Sequence, residues 1–262
     1  MFFKKLPNRQ NFKYFSITLL VRNDIHSYLN ISNWFQENII LINELYLNKF
    51  NLRLDDIDIN FGKYHFSSIE NALNKIKQQN LSFFQAQTKK IDRVLIIYDN
   101  PFLNQEELNY NNTYEARFVI MCPYEYKEVL DFITKNIDLD NWDYGYGMSL
   151  LESQTIEGSQ IKSTIFSSRN IPLLSEKIWN EMLLTKDSLA EKGFIKDIYE
   201  FNILNDKQAE NINLKSFLKR GIGSYSIQNE KYIWKLNFTE INLVKRLIST
   251  NPFLLSMTKD KS

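Results

Sequence analysis

The chain has 262 residues, 32 Lys+Arg against 31 Asp+Glu, a formal net charge of +1, one cysteine and seven glycines. A polypeptide of this length buries about 70% of its unfolded surface, which supports a core without disulfide or metal staples. The near-neutral balance excludes an overall field that would draw in nucleic acid or an anionic membrane, and a composition that is 44% hydrophobic and 14% aromatic excludes disorder. Cys122 has no second cysteine to pair with, so the chain fits a reducing compartment.

Met1 to Phe12 is basic but has no apolar run ending in a small-residue cleavage site. The most apolar stretches, Ile17–Val21, Ile39–Ile42 and Val94–Tyr98, fall far short of the roughly 20 residues a spanning helix requires. A cytoplasmic protein with no membrane partner is expected.

In chain order, Tyr14–Arg22 alternates, with Phe15, Ile17, Leu19 and Val21 on one side, and predicts a half-buried strand. The period then changes. Trp34/Phe35, Ile39, Ile42 and Leu45/Tyr46 predict an amphipathic helix over 31–50. Ile57, Ile59 and Phe61 predict a short strand. Ser67-Ser68-Ile69-Glu70 has capping-box spacing before a helix that runs to about Gln79. Leu81–Gln87 and Arg93–Tyr98 read as strands, and Asp99-Asn100-Pro101 as the turn after them. Thr113–Cys122 alternates again, and Pro123 suits the first turn of a following helix.

Gln160–Phe166 predicts a strand, and Ser175 caps a helix carrying Ile178/Trp179, Met182 and Leu183. Phe194–Leu204 is extended. Leu214, Phe217 and Leu218 lie on a short helix ended by Gly221. Ser224–Gln228 and Tyr232–Leu236 form a hairpin around Asn229-Glu230-Lys231. Thr239 caps a last helix whose stripe is Leu243, Leu247 and Ile248. Helices fall between pairs of strands, which predicts an α+β fold with a mostly antiparallel sheet. The chain divides at about residue 150 into two α+β halves, 1–150 and 151–262, unless both share one sheet. Trp34, Phe118 and Trp234 are expected in the core.

Little catalytic material is present. There is no G-x-G-x-x-G and no G-x-x-x-x-G-K-[ST]. Gly145-Tyr146-Gly147 is expected to shape a tight turn or bulge. His26 and His65 have no nucleophile motif beside them, and Cys122 ends an apolar strand as a small hydrophobe. Asp55, Asp56 and Asp58 are the best material for an enzyme, and Asp138, Asp140 and Asp143 cluster near a loop. Their spacing matches no calcium loop, since Asp143 occupies the glycine position of the turn. No catalytic residue, metal or cofactor is assigned.

Charge is distributed unevenly. Residues 99–143 hold ten acids and three bases, a balance of −7, and residues 213–262 hold nine bases and three acids, a balance of +6. Tyrosine and tryptophan crowd the acidic region, and both serve as interface anchors because they bury large area yet keep a polar handle. The expected partner-binding surface therefore spans 99–147, with Trp142, Tyr144 and Tyr146 as anchors. Glu106, Glu107, Asp138 and Asp140 would steer a basic protein partner. The basic C-terminal region is short of what nucleic-acid binding requires, because Phe217, Trp234 and Phe238 are expected to be buried.

The strand Thr113–Cys122, the Pro-started helix after it and Trp142-Asp143-Tyr144-Gly145-Tyr146-Gly147 together resemble a pattern in bacterial immunity-type proteins of type VI secretion. The resemblance covers about 35 residues. It implies an α+β domain that binds and neutralises a cognate toxin by occluding it, with no enzymatic activity. Two other readings stand beside it. One is an enzyme whose site is assembled from scattered carboxylates, with or without a metal. The other is a structural or regulatory protein that self-associates as a homo-oligomer.

Overall fold

The computed structural model describes residues 12–21, 33–38, 54–59, 62–64, 83–88, 95–99, 116–126, 139, 142–151, 154–157, 160–165, 169–172, 177–179, 182 and 189–257. The α+β architecture is the expected one. Strands β1 (Phe12–Val21), β2 (Leu54–Ile59), β3 (Gly62–Tyr64), β4 (Phe83–Thr88), β5 (Leu95–Asp99), β6 (Ala116–Pro123) and β7 (Tyr144–Leu151) join β11 (Phe201–Leu204), β12 (Ser224–Gln228) and β13 (Lys231–Lys235) in a ten-stranded sheet. Its order is β12-β13-β11-β7-β1-β6-β5-β4-β2-β3, and each pairing is antiparallel. Strands β8 (Gln154–Glu157), β9 (Gln160–Ile165) and β10 (Arg169–Pro172) form a separate antiparallel meander. The large sheet thus takes strands from both sides of residue 150.

β1 lies in the middle of the sheet, between β6 and β7, and is buried on both faces from Phe15 to Val21. This corrects the half-buried expectation. Its alternate residues Ser16 and Thr18 are small and polar, so their pattern imitates a solvated face, yet each is only 1% exposed. What covers the two faces differs. On the first, Ile17 and Leu19 share register rows with Ile120 and Phe118 of β6, and these with Ile96 and Tyr98 of β5, while Phe15 stands opposite Cys122. A helical segment at 33–38, α1, lies over them. Its Phe35 stacks on Tyr98 with ring centroids 4.0 Å apart, and its Trp34 meets Phe118 edge-on at 5.1 Å. The other positions of the helix expected over 31–50 lie outside the described residues, as do the helix expected to run from Ser67, His26 and His65.

The second face carries the larger core. Leu20, Val119, Met121, Tyr144, Tyr146 and Leu150 pack against Trp179, the irregular segment 189–200 and the C-terminal elements. Those elements are α2 (Asp206–Asn211), α3 (Leu214–Lys219) and α4 (Phe238–Leu247). Residues 195 and 196 are held by the C-terminal strap: Ile195 N donates to the Phe253 carbonyl at 2.9 Å and Ser256 N to the Lys196 carbonyl at 3.0 Å. Trp34, Phe118 and Trp234 are buried, as expected from their places on apolar faces.

Pro123 ends β6 and is followed by a 3₁₀ turn, Tyr124–Tyr126, and the rest of the helix expected after it lies outside the described residues. Three local expectations change. Only Phe201–Leu204 of the extended 194–204 segment joins a ladder. The cap of α4 is Asn237, not Thr239. The Asn237 side chain accepts from Glu240 N at 3.0 Å, and the Glu240 carboxylate accepts from Asn237 N at 2.8 Å, a reciprocal box that a cap at Thr239 would lack because Asn242 would then stand at the third position. The buried stripe of α4 is Ile241, Val244 and Ile248, which leaves Leu243 and Leu247 exposed on its flank.

The largest correction concerns Gly145-Tyr146-Gly147, which lies inside β7 and forms no turn. The two glycines face the first core. A methyl group on Gly145 would meet Ile203 Cδ1 and Leu19 Cδ2 at 2.9 Å, and one on Gly147 would meet Phe201 Cβ at 3.0 Å. Side chains of β1 and β11 lean over β7 from both sides, and only glycine leaves room beneath them.

Candidate protein-interaction edge

Trp142, Tyr144 and Tyr146 are 0%, 0% and 1% exposed, so they are core residues and cannot serve as surface anchors as they stand. The glycines of β7 take the first face, so strand alternation directs Tyr144 and Tyr146 to the second. There their hydroxyls meet Lys196. The Tyr144 hydroxyl accepts from Lys196 N at 3.3 Å, and Lys196 Nζ lies 3.5 Å from the Tyr146 hydroxyl oxygen. The Lys196 ammonium also sits 5.2 Å from the ring centroids of both Tyr146 and Trp179. The polar handles that suggested an interface are therefore used internally. Trp142 packs edge-on against Trp34 at 4.8 Å. Glu106, Glu107, Asp138 and Asp140 lie outside the described residues. Asp55, Asp56 and Asp58 belong to β2. Among the described residues no group of three or more His, Cys, Asp or Glu is placed to hold a metal ion, and no helix is long and apolar enough to cross a membrane.

Exposed apolar surface gathers instead at the C-terminal end of the sheet. The large hydrophobic side chains left open among the described residues are Tyr225, Ile227, Phe238, Leu243 and Leu247. Tyr225 and Ile227 belong to β12, the outermost strand, and are 54% and 61% exposed. Ser224 and Ser226, on the opposite face of the same strand, are exposed as well. β12 thus has exposed side chains on both faces, and no described strand pairs with its outer edge.

The hairpin that presents it is well determined by local chemistry. Asn229 and Glu230 both adopt positive φ, at 48° and 57°, which makes the two-residue turn whose twist matches paired strands. At the other end Gly223 has φ +77°, and any side chain there would meet the Trp234 indole nitrogen at 2.5 Å and the Lys235 carbonyl oxygen at 2.6 Å. That indole donates to the Ile222 carbonyl at 3.1 Å, and Gly223 N donates to the Glu240 carboxylate at 2.9 Å. The start of β12 is thereby tied to β13 and α4 at once.

Beside the hairpin lies a cleft of about 690 Å³. Phe12, Phe15, Tyr124, Phe201 and Phe238 give it an aromatic lining, and Glu200, Lys235 and Glu240 supply its charged groups. The Glu200 carboxylate accepts from both the backbone N–H and the hydroxyl of Ser149, and Lys235 Nζ stands 5.6 Å over the Phe201 ring. Around the hairpin, residues 213–235 carry five bases and one acid.

This surface was within reach of sequence reading. Tyr225 and Ile227 alternate with serines in a strand free of charge and proline. The acidic balance of 99–143 points to Tyr144 and Tyr146 instead, but their period-2 spacing equally marks a buried strand.

No protein-family model matches the chain, and no curated protein matches it in sequence. Among solved structures it is similar to the Pseudomonas aeruginosa T6SS protein PA0821, with a TM-score of 0.55 and 9% sequence identity, over 92% of this chain and 78% of that one. At that identity the likeness is one of fold.

Proposed function

We propose that this chain is a cytoplasmic protein-binding protein of immunity or inhibitor type, which neutralises a cognate bacterial toxin by occluding it. The observation that carries the reading is the uncharged edge strand β12, whose Tyr225 and Ile227 side chains are open to solvent. Large apolar side chains left open together on an edge strand mark a surface suited to association. The fold shared with a T6SS protein supports a link to type VI secretion.

The test is survival in contact with kin. A source strain lacking this chain is grown against siblings whose type VI apparatus is active or disabled. Loss of fitness only against active siblings, restored by supplying the chain in the cytoplasm, is the expected result. Equal survival in both pairings defeats the reading.

A further inference from the structure

We propose that β12 is an open docking strand that accepts an extended, acidic segment of the partner as the next strand of the sheet. The inference rests on the protein-binding reading above and supplies the partner's chemistry at that surface.

The backbone carries the first part of the argument. With a two-residue turn at Asn229-Glu230, Gln228 and Lys231 form the closing hydrogen-bonded pair of the hairpin. Antiparallel ladders alternate, so Ser226 and Ser224 also bond inward to β13. The N–H and C=O groups of Tyr225 and Ile227 then point away from β13, where no described strand takes them. These same two residues carry the exposed side chains. Strand addition uses both components: backbone bonds supply affinity, and alternate side chains supply contacts on one face.

The second part is what the strand lacks. Natural edges are guarded by lysine, proline, a bulge or a covering element, because an unguarded edge templates pairing. Ser224-Tyr225-Ser226-Ile227-Gln228 has no charge and no proline, and its ladder with β13 is regular. The guard is absent from the strand, and although Glu230 lies in its turn and Glu240 caps its start at Gly223 N, bases outnumber acids in the sequence that flanks it. Lys219 and Arg220 precede it, and Lys231 and Lys235 stand on β13. This complement selects an acidic partner strand. A second copy of the chain would offer this surface another uncharged strand and so make no use of that charge.

The probe is a pair of short labelled peptides, one alternating Glu with Val and one alternating Lys with Val, titrated into the full chain. The Glu peptide is expected to bind at least about tenfold more tightly than the Lys peptide, to weaken with salt, and to slow exchange of the Tyr225 and Ile227 amides. Ile227→Pro removes an outward N–H without breaking a bond to β13, and should weaken binding about tenfold or more. Ile227→Ala keeps the N–H and should lose less. Should Ile227→Pro fail the melt control, N-methylation of the Glu peptide along one edge blocks the same bonds from the partner's side. Equal affinity for both peptides, or Glu-peptide binding unchanged by Ile227→Pro and by N-methylation, overturns the proposal. So does a concentration-dependent dimer of the free chain that Ile227→Pro dissolves, which would give the edge to a second copy. Synthetic peptides keep this test apart from the survival assay. Protection without peptide binding defeats the docking strand alone, and peptide binding without protection defeats the immunity reading alone.

Discussion

Gly147 sits opposite Ile17 in the ladder between β7 and β1, and a methyl group built on it would lie 3.1 Å from the Ile17 Cγ1. The same methyl would stand 3.0 Å from Phe201 Cβ and 3.1 Å from the Phe15 ring. Three side chains from two neighbouring strands close over this one residue, so the glycine is a packing requirement in the middle of the sheet.

The first prediction follows from that crowding. Gly147→Ala and Gly145→Ala should each destabilise by about 1–3 kcal/mol, as overpacked cores do. Denaturant titrations would read this as lower midpoints with unchanged slopes. A gain in stability, as expected for Gly→Ala in an uncrowded strand, would contradict the packing described.

Lys196 is fully buried against aromatic rings, and this arrangement separates charge from volume. Lys196→Met keeps the volume and should leave stability equal or higher, because a buried charge replaced by an apolar side chain of similar size is often neutral or stabilising. Lys196→Ala leaves a cavity and should lose about 2–4 kcal/mol. Thermal unfolding of the two variants side by side distinguishes these effects. Equal losses in both would mean that the ammonium contributes more than the packing of its stem.

Asn205 joins a helix cap to the core. Its side chain accepts from Gln208 N at 2.8 Å, and its Nδ2 donates to the Ala190 carbonyl at 3.0 Å. Asn205→Asp retains the cap acceptor and loses the donor, so it should cost more than Asn237→Ala. That second change removes only a surface cap, at about 1 kcal/mol. Reversal of this order in melting experiments would show that the bond to Ala190 is unimportant.

Trp142 and Tyr146 should behave as core residues. Trp142→Ala is expected to lose about 3–5 kcal/mol of stability. A variant that folds with unchanged stability yet fails to bind a partner would return this residue to the surface.

Tyr225 and Ile227 should behave in the opposite way. Replacing both by serine removes exposed apolar area and should change stability by no more than about 0.5 kcal/mol, the range of ordinary surface substitutions. Kin protection by the chain should nonetheless be lost. A folded double variant that still protects would remove β12 from the interaction.

The periodicity of the sequence determined most of the strands and the hairpin at 224–236, because alternation and turn chemistry act over a few residues. It also placed Trp34, Phe118 and Trp234 correctly inside, since each lies on the apolar side of its own segment. Which sheet position each strand occupies was decided only by tertiary pairing. β1 reads as half-buried because Ser16 and Thr18 are polar, but two neighbours and a covering layer on each side bury both faces. β7 reads as a turn because its glycines suggest flexibility, whereas their purpose depends on Leu19, Ile17, Phe201 and Ile203 from distant parts of the chain. The candidate site divides along the same line. The alternation of Tyr225 and Ile227 is local, but their exposure follows from β12 being last in the order of ten strands. Tyr144 and Tyr146 have the same spacing and lie near the centre, where the hydroxyls that suggested an interface reach Lys196 instead. A local pattern specifies which side chains share a face, and only the order of strands specifies whether that face meets water.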